Sequence, residues 1–268
     1  MKINLHSHTT FCDGKNSAEE MIESAIEHGF DVFGFSGHSY TPFDESYCMS
    51  LEGTKEYKHT VKALAEKYKS KIKILCGVEQ DFFSNQPINC YDYAIGSVHA
   101  FYNKNYDKYI YADYSAELLA DACEKYYGGD FISMAEDYFE EESRVAEKTG
   151  CHIIGHFDLI TKFNEQEPMF DERHPRYEAA VDNALKRLIP SGAVFEINTG
   201  AMSKGYRTTP YPSEAILKKI KAGGGKVIIS ADTHGVDTVD FAFKDALRLA
   251  KLCGFDELSY PDVCFVKK

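Results

Sequence analysis

Ile3-Asn4-Leu5-His6-Ser7-His8 alternates apolar with polar residues, and after a short loop Ser17-Ala18-Glu19-Glu20-Met21-Ile22 follows; this step from strand to helix decides the fold. The first stretch reads as a strand because its apolar residues recur at every second position. The second opens a helix: Ser17 and Glu20 have capping-box spacing, and Met21, Ile22, Ala25 and Ile26 share one face. Gly29 ends it. Working outward, the same step recurs along the chain. Strands are predicted at 32–35, 72–78, 93–98, 152–155, 193–197 and 227–230, with helices at 54–68, 115–127, 130–148, 175–188, 213–221 and 239–253. A Tyr-rich stretch after the fourth strand reads as a long loop. Strands separated by helices pair in parallel through right-handed crossovers, and seven such units fit a closed or nearly closed barrel. The open-sheet alternative loses support because the chain contains neither Gly-x-Gly-x-x-Gly nor a phosphate-cradling Gly-x-x-x-x-Gly-Lys-[Ser/Thr].

A chain of 268 residues has the length of one barrel, and no linker or repeat divides it, so 1–268 is read as a single domain. Hydrophobic residues at 44% and charged residues at 27% exclude disordered and low-complexity classes. A formal charge of −12 opposes binding to polynucleotides. Neither a secretory leader nor a membrane span is read, and the eight cysteines form no Cys-x-x-Cys pair. The expectation is a cytoplasmic protein with reduced thiols; the sequence does not indicate its oligomeric state.

The polar residues gather at predicted strand ends. His6 and His8 lie two apart on the first strand and so point to one face. His38, Glu79, His99 and His156 end the next four strands, Glu196 and Asn198 the sixth, and Asp232-Thr233-His234 the seventh. In a parallel barrel these positions converge on the C-terminal rim, where catalytic groups sit. A histidine taken singly is more often structural, and His28, His59, His152 and His174 are read that way. Six of the ten histidines at one rim, joined by Asp13, Glu79 and Asp232, are a different matter. Imidazoles and carboxylates without thiolate select Zn, Mn or Fe, and this many donors suffice for two or three ions.

His6-Ser7-His8, Ser36-Gly37-His38, Gly77-Val78-Glu79, Ser97-Val98-His99, Gly155-His156 and Ser230-Ala231-Asp232-Thr233-His234 together resemble the successive motifs of the PHP (polymerase and histidinol phosphatase) family. The resemblance covers nearly the whole chain. It implies a distorted (β/α)7 barrel with a trinuclear metal centre at the C-terminal ends of the strands. By the same resemblance His6, His8, Glu79 and Asp232 hold one ion. Glu79 bridges to a second held with His99 and His156, and Asp13, His38 and His234 hold the third.

Several segments look like the histidinol-phosphatase branch: Ser36-Gly37-His38-Ser39-Tyr40-Thr41-Pro42-Phe43, Gly155-His156-Phe157-Asp158-Leu159-Ile160-Thr161-Lys162-Phe163, and Gly205-Tyr206-Arg207-Thr208-Thr209-Pro210-Tyr211-Pro212. Arg207 and Lys162 are then the expected phosphate contacts. The expected reaction is hydrolysis of a small phosphorylated metabolite, L-histidinol phosphate first, by a hydroxide shared between two metals. Asp232 or His234 would pass a proton to the leaving group. Most of the tyrosines after His99 are read as loop packing, while Asp44, Glu45 or Asp113 could meet a substrate ammonium. The rival readings are a PHP hydrolase of nucleotides, phosphodiesters or phosphotyrosine, an amidohydrolase, and a noncatalytic metal-binding barrel. The amidohydrolase lacks a metal-bridging lysine at the fourth strand end, where His99 stands.

Overall fold

The structure is a computed structural model that describes residues 1–264. Strands β1 (Ile3–Asn4), β2 (Val32–Phe35), β3 (Lys73–Asp81) and β4 (Tyr93–Ser97) are followed by a hairpin, β5 (Ala100–Asn103) and β6 (Lys108–Tyr111), and then by β7 (Ile153–Ile154), β8 (Val194–Asn198) and β9 (Val227–Ser230). The helices are α1 (Ala18–Glu27), α2 (Leu51–Tyr68), α3 (Ala116–Tyr127), α4 (Phe131–Glu142), α5 (Val145–Thr149), α6 (Pro175–Leu188), α7 (Gly200–Ser203), α8 (Glu214–Ala222) and α9 (Phe243–Leu252). Seven strands pair in parallel in the order β1-β2-β3-β4-β7-β8-β9. The ends of that row meet through a parallel bridge between Ser7 and Thr233, where His8 N–H reaches Thr233 O at 2.8 Å and Thr233 N–H reaches His6 O at 3.3 Å. The result is the nearly closed (β/α)7 barrel expected.

Local chemistry explains the elements and the departures from expectation. The capping box of α1 is formed: Glu20 N–H donates to Ser17 Oγ at 3.3 Å and Ser17 N–H to Glu20 Oε2 at 2.8 Å, an N-cap worth about 1 kcal/mol. Helix α2 begins before residue 54 because Ser50 caps it, taking Gly53 N–H at 3.0 Å. The helix expected over 130–148 breaks at Ser143 and Arg144, where Arg144 N–H turns to the carbonyl of Glu141. The last helix begins only at Phe243, because Ala242 holds a left-handed φ of 54°. The Tyr-rich stretch is not a loop but the antiparallel hairpin β5–β6. Its turn is set by Asn103, whose side chain accepts from Asn105 N–H (3.0 Å) and Tyr106 N–H (3.2 Å), and by Asp107 at φ 54°.

Two apolar layers hold the barrel. The inner one, Ile3, Leu5, Val32, Leu75, Tyr93, Ile95, Ile153, Val194, Ile228 and Cys264, fills its interior; the outer one lies between sheet and helices. Each fully buried Leu, Ile or Phe contributes on the order of 1.5–3 kcal/mol. Tyr93 plugs the interior and donates its hydroxyl to Leu5 O at 2.5 Å, with Phe35 O at 3.0 Å. Its ring needs the space left by Gly77, where a Cβ would come 2.3 Å from it.

Outside this apolar set, Glu142 on α4 is fully buried, and neither carboxyl oxygen has a hydrogen-bond partner. Burial, reinforced by Asp158, raises its pKa well above 4.5. The unfolded chain therefore ionises this group at a pH where the folded chain keeps it neutral, so stability falls as pH climbs from about 4.5 through the folded value. The Glu142→Gln variant has no such loss. Its urea midpoint relative to the native protein is expected to improve steadily from about pH 5 to about pH 8; a gap independent of pH would contradict this account.

Candidate metal centre and its cavity

The loops that leave the C-terminal ends of the strands bring all nine candidate ligands to one rim. Glu79, at the end of β3, is central and 1% exposed. Its Oε2 faces His6 Nε2 at 3.2 Å, His8 Nε2 at 3.5 Å and His38 Nδ1 at 3.0 Å. Its Oε1 faces His99 Nε2 at 3.2 Å and His156 Nε2 at 3.0 Å, and accepts from Ser97 Oγ at 2.7 Å. Each oxygen thus serves a different set of imidazoles, which is the geometry of a bridging carboxylate.

The remaining acids flank it. Asp232 Oδ1 lies 3.3 Å from His8 Nε2 and 3.5 Å from His6 Nε2; Asp13 lies 3.6 Å from both His8 Nδ1 and His38 Nε2, and 3.2 Å from His234 Nε2. Three groups of donor atoms are close enough to share an ion: His8, Asp13, His38 and His234; His6, His8 and Asp232; His38, Glu79 and His99. His8 and His38 each belong to two groups, so the donor sets interlock more than the family-based partition implies, while His156 belongs to none of the three and meets Glu79 Oε1 beside the ring of His99.

The unpartnered atoms and the ionised carboxylates fit cations. His6 Nε2, His8 Nε2 and Glu79 Oε2 are buried, converge, and lack a hydrogen-bond partner among the described residues. Buried polar atoms without partners are rare, and lone pairs aimed at one point suit a divalent ion. Burial, His234 and His38 lower the His8 pKa to about 3, which leaves the neutral, ligating form. Burial would raise the pKa of Glu79, but His6, His38 and His99 outweigh it and keep the carboxylate ionised. Asp232 is likewise held well below the usual range, against its burial, chiefly by His6. Its backbone lies at φ 47°, and a Cβ on Gly200 would come 2.7 Å from its Oδ2, so the residue is set in a strained turn with no room beside it. The histidines read as structural sit elsewhere: His152 Nδ1 accepts from Ala94 N–H at 3.1 Å, His174 caps α6, His59 is exposed, and His28 Nδ1 bonds Ser24 O.

A cavity of about 230 Å³ opens over this rim. Lys162 and Lys204 line it together with Asp44, Tyr47, Tyr111, Asp113 and Tyr114. Lys162 Nζ donates to Asp113 O at 2.8 Å and Oδ2 at 3.2 Å. Lys204, the C-cap of α7, is exposed, and its ammonium makes no hydrogen bond or ion pair among the described residues; sequence reasoning passed over it, since a lysine at the end of so short a helix carries no local signal. Arg207, one of the two expected phosphate contacts, lies behind the cavity wall instead of lining it. Its guanidinium stacks 4.6 Å from the ring of Tyr211, which does line the cavity, and bonds Thr161 Oγ1 and Thr209 O. The hairpin β5–β6 brings Tyr111 to the mouth, so part of the expected loop packing is cavity wall.

The PHP-domain model matches residues 4–200, and the chain belongs to that family. Among curated proteins it is similar to the "Probable histidinol-phosphatase" of Schizosaccharomyces pombe, 28% identical over all of this chain and 90% of that protein. The protein of the same name from Deinococcus radiodurans is 25% identical, over 91% of this chain and 90% of its own. Among solved structures, the histidinol phosphate phosphatase of Lactococcus lactis, complexed with zinc, L-histidinol and phosphate, has a TM-score of 0.70 at 21% identity and covers all of this chain and 99% of its own. At that identity the likeness speaks for the fold.

Proposed function

We propose that the chain is a metal-dependent phosphatase that hydrolyses L-histidinol phosphate to L-histidinol and phosphate, with two or three ions of Zn, Mn or Fe held by His6, His8, Asp13, His38, Glu79, His99, His156, Asp232 and His234. The observation that carries this reading is Glu79, whose two oxygens each face separate imidazoles beneath one cavity. The curated relatives named for this activity, and the Lactococcus lactis complex, support the substrate. Divalent ions at such a site supply a water nucleophile near neutral pH and neutralise phosphate charge. The chain's own residues do the rest. Lys162 and Lys204 hold the phosphate at the cavity wall, and Arg207 adds positive potential through the stacked Tyr211. His234 directs its Nδ1–H to the carbonyl of Asp232 at 3.1 Å and its Nε2 to Asp13. Asp232, held ionised, would take the proton released by the attacking water and pass it to the leaving oxygen; His234, with both nitrogens engaged, is less available for that relay.

Acidic and aromatic residues of the same cavity select the leaving group. Against the pull of its partial burial, Asp44 is held ionised by Ser46 and by the Tyr111 hydroxyl, and no cation pairs with it among the described residues. An acid bonded by Tyr111, in a cavity that Tyr47 and Tyr114 also line, suits an amine-bearing, flat leaving group and disfavours a nucleotide. Purified protein loaded with each metal in turn should release phosphate from L-histidinol phosphate at least about a hundredfold faster, by kcat/KM, than from AMP, glucose 6-phosphate, phosphotyrosine or bis-p-nitrophenyl phosphate. Equal rates across the panel would overturn the assignment. The Asp44→Asn variant should raise KM for histidinol phosphate about tenfold and leave p-nitrophenyl phosphate turnover nearly unchanged.

A further inference from the structure

Glu196 on β8 is fully buried and does not line the cavity. Its Oε1 accepts from His6 Nδ1 at 2.6 Å and from Ser230 Oγ at 2.5 Å. Its Oε2 accepts from His156 N–H at 3.0 Å and from Asn198 Nδ2 at 2.8 Å; the same amide reaches Asp232 Oδ2 at 3.3 Å. Every acceptor position of the carboxylate is taken. Its donors come from four separate parts of the barrel: the end of β1, the end of β7, β8 itself and the end of β9. The two histidines it holds stand on opposite oxygens of Glu79, His6 at Oε2 and His156 at Oε1.

We propose that Glu196 is a positioning residue that fixes His6 with its proton on Nδ1 and its Nε2 lone pair turned inward, and that couples the ion positions on the two sides of Glu79 by tying His6 to His156. An imidazole has two possible tautomers and can flip; a short bond from Nδ1 to an ionised carboxylate selects one orientation. Through the backbone of His156 the same carboxylate sets the height of the imidazole at Oε1, and through Asn198 it restrains Asp232. A shift at one ion position is therefore transmitted to the other. The inference rests on the metal reading of the site.

The experiment uses the full chain, stripped with chelator and reloaded with zinc. In the native zinc-loaded protein labelled with 15N-histidine, long-range 1H–15N spectra should place the His6 proton on Nδ1; a proton on Nε2 would overturn the proposal whatever any variant does. The Glu196→Gln variant puts an amide donor against partners that are themselves donors. Its dissociation constants for zinc should rise about 10- to 100-fold at both positions on either side of Glu79, measured by competition with a chelating dye and by metal content, while an Ile197→Val control keeps native affinity. Native zinc affinity in a destabilised Glu196→Gln chain would reduce Glu196 to a structural brace and overturn the coupling. So would weakening at one position alone. If Glu196→Gln does not fold, Ser230→Ala, which removes one donor to Oε1, should weaken zinc several-fold at both positions, and an unchanged affinity overturns the proposal. Native protein that takes up no zinc fails the metal reading itself, an outcome distinct from all of these.

Discussion

Exchange of Glu79 for Gln is expected to reduce phosphate release by on the order of a thousandfold, with fewer ions retained per chain after gel filtration. The shape survives the exchange; the charge and one acceptor do not. Five imidazoles approach the two carboxylate oxygens within 3.5 Å. In the variant one of those oxygens becomes an NH2 group, which presents protons to nitrogens that need to present lone pairs outward. The negative charge between the donor sets disappears as well, so like-charged ions would face each other without the anion that separates them. Metal content by mass spectrometry and phosphate release on the same sample should fall together. Full activity with full metal content in this variant would dismiss Glu79 as the bridge.

The Gly77→Ala variant is expected to destabilise the barrel severely for the addition of one methyl group, by about 3 kcal/mol, with a fall in the thermal midpoint of about 10 °C. An added Cβ would lie 2.3 Å from the Tyr93 ring, and that ring has nowhere to go. It is fully buried, and its hydroxyl is anchored on Leu5 and Phe35 of the neighbouring strand segments. Differential scanning calorimetry on metal-free protein separates this packing effect from any change at the ions. A midpoint within about 2 °C of the native value would show that the interior can yield.

The repeated strand-to-helix step was readable because each element carries its own signal: period-2 apolar residues in β3, a capping box at α1, Pro175 at the first turn of α6. The place of the candidate ligands was readable for a related reason. A side chain at the C-terminal end of a parallel strand has its place fixed by the strand, so His99 and His156 could be assigned to the rim without any contact being known. What escaped depends on partners distant in sequence. The hairpin β5–β6 hid because Tyr102, Tyr109 and Tyr111 do not alternate with polar residues; only Asn103 and Asp107 mark its turn. Arg207 carries the residue type of a phosphate contact, yet its position behind Tyr211 follows from Thr161 and Thr209 packing around it. Lys204 has no local signature and matters because α7 delivers it to the cavity; Glu196 was legible as a polar residue at the end of the sixth strand, but the donors that four parts of the barrel aim at it were not.

The closure of the barrel has a mechanical side. Among the described residues the strand pairing between the two ends of the seven-stranded row is the Ser7–Thr233 bridge, supported by Ala231 N–H on Asn4 Oδ1 at 3.1 Å, and β1 has just two paired residues. His6 and His8 stand on one side of that join and Asp232 on the other, with its Oδ1 within 3.5 Å of both imidazoles. An ion held between them spans the join like a clasp on a ring. A centre loaded this way would also be the fastener of the scaffold that carries it, and an empty centre and a loosened ring would become one event.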